Sequence, residues 1–122
     1  MSGPWVPGNR WDLAPTPVHP PSVTVVVTHY EQPTQLALTL RALAGQSHPG
    51  ELLQVVVADD GSASAPDVPR GVEVVTQPDA GFRAARIRNR AVERATGDVL
   101  LFLDADTVPE PGYVAALAAL PG

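Results

Sequence analysis

Val99-Leu100-Leu101-Phe102-Leu103-Asp104-Ala105-Asp106 is the stretch that decides how this chain folds. Its apolar run, bounded by Asp98 and Asp104, reads as a buried strand. In an extended segment residues i and i+2 point to one side. Asp104 and Asp106 are therefore expected to converge on one hard cation just past the carboxyl end of the strand, where open α/β sheets hold their ligands. Carboxylate oxygens suit Mg²⁺ or Mn²⁺, and such an ion commonly also holds a substrate phosphate. On spacing alone, an acidic turn that merely solvates a strand end explains the pair better. The rest of the chain shifts that balance.

Working outward, residues 23–28 (Val23-Thr24-Val25-Val26-Val27-Thr28) form a β-branched strand. Pro33 opens a helix, with Leu36, Leu40 and Leu43 at helical spacing and Gly45 and Pro49-Gly50 as its stop. Residues 52–58 make a second strand that closes on Asp59-Asp60-Gly61-Ser62, and 72–75 a short third. A helix over 84–95 follows, with Ile87 and Val92 as inward candidates and Gly97 as its stop, then a strand over 98–103 and a helix beginning at Tyr113. The order β-α-β-β-α-β-α predicts an α/β fold with a mostly parallel sheet and helices on both faces.

Residues 1–21 hold six of the 14 prolines and no periodicity, so an extended, poorly ordered leader is expected, with the domain running over 22–122. Trp5 and Trp11 lie in that leader, and two roles stay open for them: packing back on the domain, or meeting a partner. The 122 residues suffice for one modest domain. A net charge of −5 without a basic run argues against nucleic-acid binding. No cysteine is present, which excludes disulfides and thiolate metal sites. No apolar stretch is long enough to span a bilayer, and the start lacks the pattern of a signal peptide, so a cytoplasmic location is the expectation.

The loops after the first, second and fourth strands should gather on one rim. They carry Thr28-His29-Tyr30-Glu31, Asp59-Asp60-Gly61-Ser62 and Asp104-Ala105-Asp106. Neither the dinucleotide glycine fingerprint nor the phosphate loop ending in Gly-Lys-Ser/Thr is present. A phosphate would thus be held by metal and side chains. Arg83, Arg86, Arg88 and Arg90 lead into and along the second helix as cationic candidates, although Arg86 and Arg90 read better as a solvated face.

Four blocks carry a family resemblance: Val23 to Tyr30, Val57-Ala58-Asp59-Asp60-Gly61-Ser62, Gly81-Phe82-Arg83 to Arg88-Asn89, and Gly97 to Asp106. In this order and spacing, over about residues 22–120, the chain resembles the N-terminal, donor-binding half of a family-2, inverting glycosyltransferase of the GT-A fold. The resemblance implies a Rossmann-like fold and a nucleotide-diphosphate sugar donor, with UDP as the expected carrier. It implies that Thr28 and Tyr30 line the nucleobase pocket and that Asp59 accepts a hydrogen bond from the base. Arg83 would lie near the base or diphosphate, and Arg88 and Asn89 would brace the site. Asp104 would contact the ribose or the metal's water shell, and Asp106 would ligate Mn²⁺ or Mg²⁺. Asp60 is either part of this site or, with Ser62, a cap of the turn. His29 is atypical for the family at its place and reads as a polar loop residue, His19 and His48 as solvated, and Glu31 as a surface charge.

The family's general base lies well beyond the Asp-X-Asp, whereas 16 residues follow Asp106 here, with Glu110 as their one acid. The resemblance thus implies a truncated unit whose base and acceptor-binding half lie beyond the C-terminus, with an unknown glycan, lipid or protein acceptor. Little transfer by the chain alone, and self-association through exposed apolar surface, are expected. Two other readings remain. A response-regulator-like phosphoacceptor domain would use Asp59-Asp60 and Asp104, but a strand-helix unit precedes the acidic pair and no lysine follows Asp104. A non-catalytic nucleotide-binding module would bind without turnover.

Overall fold

The computed structural model describes residues 20–77 and 84–119. The leader expectation, apart from Pro20 and Pro21, falls outside them, as do Trp5, Trp11, His19 and Arg83. The elements are β1 (Val23–His29), α1 (Pro33–Ala44), a 3₁₀ turn (Gly50–Leu52), β2 (Leu53–Asp59), β3 (Glu73–Thr76), α2 (Ala84–Glu93), β4 (Val99–Asp104) and α3 (Tyr113–Ala118). The strands form one sheet in the order β3-β2-β1-β4, with every pairing parallel. The chain builds outward from β1 through β2 to β3, then returns over the sheet by α2 to place β4 on the other side of β1. That reversal leaves a crevice between β1 and β4 at their carboxyl ends.

Alternation along β1 divides the core in two. Val23, Val25 and Val27 face one way and pack with Leu36, Leu40 and Leu43 of α1, Leu103 of β4 and Val114 of α3. Val26 faces the other way and packs with Val56, Ala58 and Val75 and with Ile87 and Ala91 of α2. Helices therefore cover both faces. Each buried leucine contributes about 1.5–3 kcal/mol. The inward pair on α2 is Ile87 and Ala91, not Ile87 and Val92, because a four-residue step returns to the same helix face and a five-residue step does not.

Two polar features close the amino end of the sheet. Gln54 sits on the α2 face as a hub: its Oε1 accepts from Thr24 Oγ1 and from the Thr96 amide, and its Nε2 donates to Glu73 and to the Arg94 carbonyl. Gly97 lies against β1, where a Cβ would stand 2.6 Å from the Thr24 nitrogen and from the Val23 carbonyl carbon. Gly97 is thus required by close backbone approach rather than as a helix stop, since α2 has already ended at Glu93.

The strand over 99–104 differs from the expectation of full burial. Among the described residues β4 pairs with β1 alone and is a sheet edge. Its α2-side residues Leu100 and Phe102 are 38% and 47% exposed, because α2 packs over β1, β2 and β3 instead.

Candidate functional site

The carboxyl ends of β1, β2 and β4 enclose a cavity of about 340 Å³, at the small end of the range for ligand sites. Thr28 and Tyr30 of the β1 end, Asp60 after β2, and Asp104 and Asp106 at the β4 end all line it. Ile87 of α2, with Ala58 and Ala105, supplies apolar wall. Tyr30 is 46% exposed on this wall.

The acidic pair is arranged by a turn rather than by strand alternation. β4 ends at Asp104, and the Thr107 amide donates to the Asp104 carbonyl at 2.9 Å, closing a turn over residues 104–107. Both acids reach the cavity because the chain reverses, with Ala105 buried between them. Four contacts fix this turn. The Ala105 amide donates to the Thr28 carbonyl at 2.9 Å. Thr28 Oγ1 donates to Asp104 Oδ1 at 2.8 Å. The fully buried Thr39 hydroxyl lies 2.6 Å from both the Ala105 and the Thr107 carbonyl oxygens. Thr39 shares the inward face of α1 with Leu36, Leu40 and Leu43, and that spacing is the signal that could have found it.

The Asp59-Asp60 pair divides its labour. Asp59 is 1% exposed and turns away from the cavity. Its Oδ1 accepts from His29 Nδ1 at 2.8 Å and from Ser62 Oγ at 2.6 Å, and its Oδ2 accepts from the Ser62 amide at 3.1 Å. Both oxygens of Asp59 are thus engaged within the protein, and Asp59, not Asp60, is the partner of Ser62. Gly61, at φ 87°, takes the left-handed conformation that brings Ser62 back beneath Asp59. Asp60 is the carboxylate on the cavity wall, and Gln77 Nε2 donates to its Oδ1 at 2.7 Å.

His29 and His48 also depart from the sequence reading. Both are 4% exposed. His29 is the last residue of β1, while His48 lies under the C-terminal end of α1 beside Leu43 and Leu53. Arg88 and Asn89 are exposed on α2 and do not line the cavity; α2 contributes Ile87 there. Arg86 and Arg90 are exposed, as a solvated face requires. Glu31 is exposed and is more than a free charge: its Oε2 accepts from the Ala63 amide at 2.9 Å.

The model of glycosyl transferase family 2 matches residues 24–120, most of the chain and all of this site. The chain belongs to that family. The family 2 chain is 37% identical over 117 residues to validoxylamine A glucosyltransferase of Streptomyces hygroscopicus subsp. limoneus, covering 88% of this chain and 26% of that one. It is 36% identical over 109 residues to an N-acetylglucosaminyltransferase of Mesorhizobium japonicum, covering 80% and 25%. The chain thus spans about a quarter of the length of these relatives. Among solved structures, S. aureus TarS 1–349 in complex with UDP superposes with a TM-score of 0.70 at 24% identity, covering 80% of this chain and 31% of that one. The mannosyltransferase PcManGT from Pyrobaculum calidifontis, in complex with GDP-Man and Mn²⁺, gives 0.63 at 29% identity, covering 81% and 31%. The parallel sheet with its helices is the GT-A arrangement. Family membership sets aside the phosphoacceptor alternative. Among the described residues no helix is long and apolar enough to cross a membrane.

Proposed function

We propose that this family 2 chain binds a nucleotide-diphosphate sugar, UDP-linked, and presents it for transfer with inversion to an acceptor hydroxyl. One observation carries the reading: Thr28, Tyr30, Asp60, Asp104 and Asp106 come from three separate strand ends and meet at one cavity. Tyr30 offers its ring to the base. Asp60 takes the role first expected of Asp59, because an ionised carboxylate is a strong acceptor for the imide N–H of uracil and Asp60 is the one that faces the cavity.

The acidic pair fits a hard divalent cation by its donor chemistry. Asp104 and Asp106 are both exposed on the cavity, and among the described residues no cluster of three or more ligating side chains stands ready to hold a metal unaided. That suits an ion held by one or two carboxylates, with water and substrate phosphates completing its shell. Asp104 and Asp106 would hold Mn²⁺ or Mg²⁺, which when bound supplies Lewis-acid stabilisation of the departing diphosphate. Thr28 orients Asp104 through its hydroxyl, and Thr39 holds the turn that aims Asp106. In the transfer, the acceptor oxygen bonds to the anomeric carbon, the bond from that carbon to the diphosphate oxygen breaks, and a general base takes the hydroxyl proton. Asp60, Asp104 and Asp106 are occupied with base, ribose and phosphates in this reading and are not assigned that proton.

Calorimetric titration of UDP with and without Mn²⁺, repeated on Asp106→Ala, tests the proposal. Binding is expected to need the metal and to weaken at least about tenfold, near 1.4 kcal/mol, in the variant. A folded chain that binds neither UDP nor GDP under these conditions overturns it.

A further inference from the structure

His29 is buried at the floor of the donor cavity, and both of its ring nitrogens are engaged. The Gln32 amide lies 3.0 Å from Nε2. A backbone amide can only donate, so Nε2 is an unprotonated acceptor and the proton of the neutral ring sits on Nδ1. Nδ1–H then donates to Asp59 Oδ1 at 2.8 Å. An imidazolium here would set an N–H against the Gln32 N–H, and the opposite tautomer would do the same while losing the bond to Asp59.

From this one side chain a circuit runs through both loops of the cavity wall. Asp59 holds the Ser62 hydroxyl and amide. Ser62 Oγ in turn accepts from the Glu31 amide at 2.9 Å, and Glu31 accepts from the Ala63 amide. Glu31 is the one non-glycine residue at positive φ among the described residues, at 51°. These bonds hold the chain in that sparsely occupied conformation between Tyr30 and Gln32. The Asp60 amide donates to the His29 carbonyl at 2.9 Å, joining the two loops at their base.

We propose that His29 is a positioning residue for the donor site. In its neutral Nδ1–H form it clamps Asp59 and the Gln32 amide, and so sets Tyr30 and Asp60 at the separation that admits the nucleobase between them. The functional part of this proposal rests on the nucleotide-binding reading above; the tautomer and the clamp do not.

The test uses the whole chain, labelled with ¹⁵N, and three variants. A long-range proton–nitrogen correlation on the free protein is expected to show Nδ1 protonated and Nε2 not. Protonation at Nε2 overturns the proposal whether or not any nucleotide binds. In His29→Asn the amide nitrogen falls near the Nδ1 position and keeps the donation to Asp59. In His29→Gln the tip falls near Nε2, and in His29→Ala nothing remains. Exchange of the Ser62 and Ala63 amides is expected to speed up about tenfold or more in His29→Gln and stay within a few-fold of the original in His29→Asn. With UDP and Mn²⁺ as the probe, affinity should fall about tenfold in His29→Gln and His29→Ala, the size of one hydrogen bond to a charged group, and be rescued in His29→Asn. Equal UDP affinity or equal amide exchange in all variants overturns the positioning role. If the parent chain binds no UDP, the donor reading fails, and the tautomer and exchange still decide the clamp.

Discussion

Thr39→Val replaces the hydroxyl that holds the acidic turn with a methyl group of nearly the same shape, and its consequence can be worked from the structure. The β-branched form is kept, so α1 should tolerate the change. Thr39 is fully buried, and its hydroxyl sits 2.6 Å from the carbonyls of Ala105 and Thr107. Losing that donor leaves a buried acceptor unsatisfied, a penalty of about 1–3 kcal/mol. The added methyl returns about 0.8 kcal/mol of apolar burial. The net loss is about 0.2–2.2 kcal/mol, centred near ~1 kcal/mol. For a small domain with a urea dependence near ~1 kcal/mol per molar, the unfolding midpoint should fall by about 1 M. The second readout is the ratio of UDP affinities with and without Mn²⁺, which should shrink because residues 104–107 are no longer held in one conformation. An unchanged midpoint together with an unchanged metal dependence would refute the claim that Thr39 positions the acidic pair.

The two neighbouring aspartates should separate by assay: Asp60→Asn weakens UDP binding by about tenfold with little change in urea midpoint, whereas Asp59→Asn lowers the unfolding free energy by about 1–3 kcal/mol through its buried bonds to His29 and Ser62, read as a fall in urea midpoint. Gly97→Ala should destabilise by about 1–3 kcal/mol in thermal or urea unfolding, because the new Cβ meets the β1 backbone at 2.6 Å rather than a movable side chain. Gln54→Leu keeps the volume but strands the Thr24 and Thr96 donors and the Arg94 carbonyl; a loss of about 1–3 kcal/mol is expected, and a stabilised variant would show that water satisfies them instead.

Element order and strand direction were legible in the sequence because the β-branched runs and the Leu36, Leu40, Leu43 spacing each report a local period. What local pattern could not carry is long-range partnership. The edge position of β4 depends on where α2 lands, so Leu100 and Phe102 look like core residues in sequence and are half-open in the fold. At the site, Thr28, Tyr30, Asp60, Asp104 and Asp106 could be named from their places after strands. The inward turn of Asp59 could not, since it is set by His29 thirty residues earlier and by the left-handed Gly61. His29 was read as a polar loop residue and His48 as solvated, from their polar or proline-rich neighbours, but burial follows the packing of β1 and α1, which neighbours in sequence do not determine. Gln77 reaches a carboxylate distant in sequence and leaves no motif, while Thr39 shows in the sequence by its place on the leucine face of α1 but not by the carbonyls it holds.

The strand that delivers the acidic pair has a ladder on one side only among the described residues. Asp60, by contrast, follows a strand flanked by neighbours on both sides, β1 and β3. The thermal wander of Asp104 and Asp106 is therefore governed by a weaker restraint than that of Asp60. In the proposed metal-binding reading, a chain that paired with the open side of β4 would narrow that wander and raise the affinity of the pair for a cation. By reciprocity, a cation held by the pair would strengthen the hold of that added chain by the same factor. Occupancy of the acidic pair and occupancy of the sheet edge would then be two ends of one thermodynamic linkage, with β4 as the lever between them.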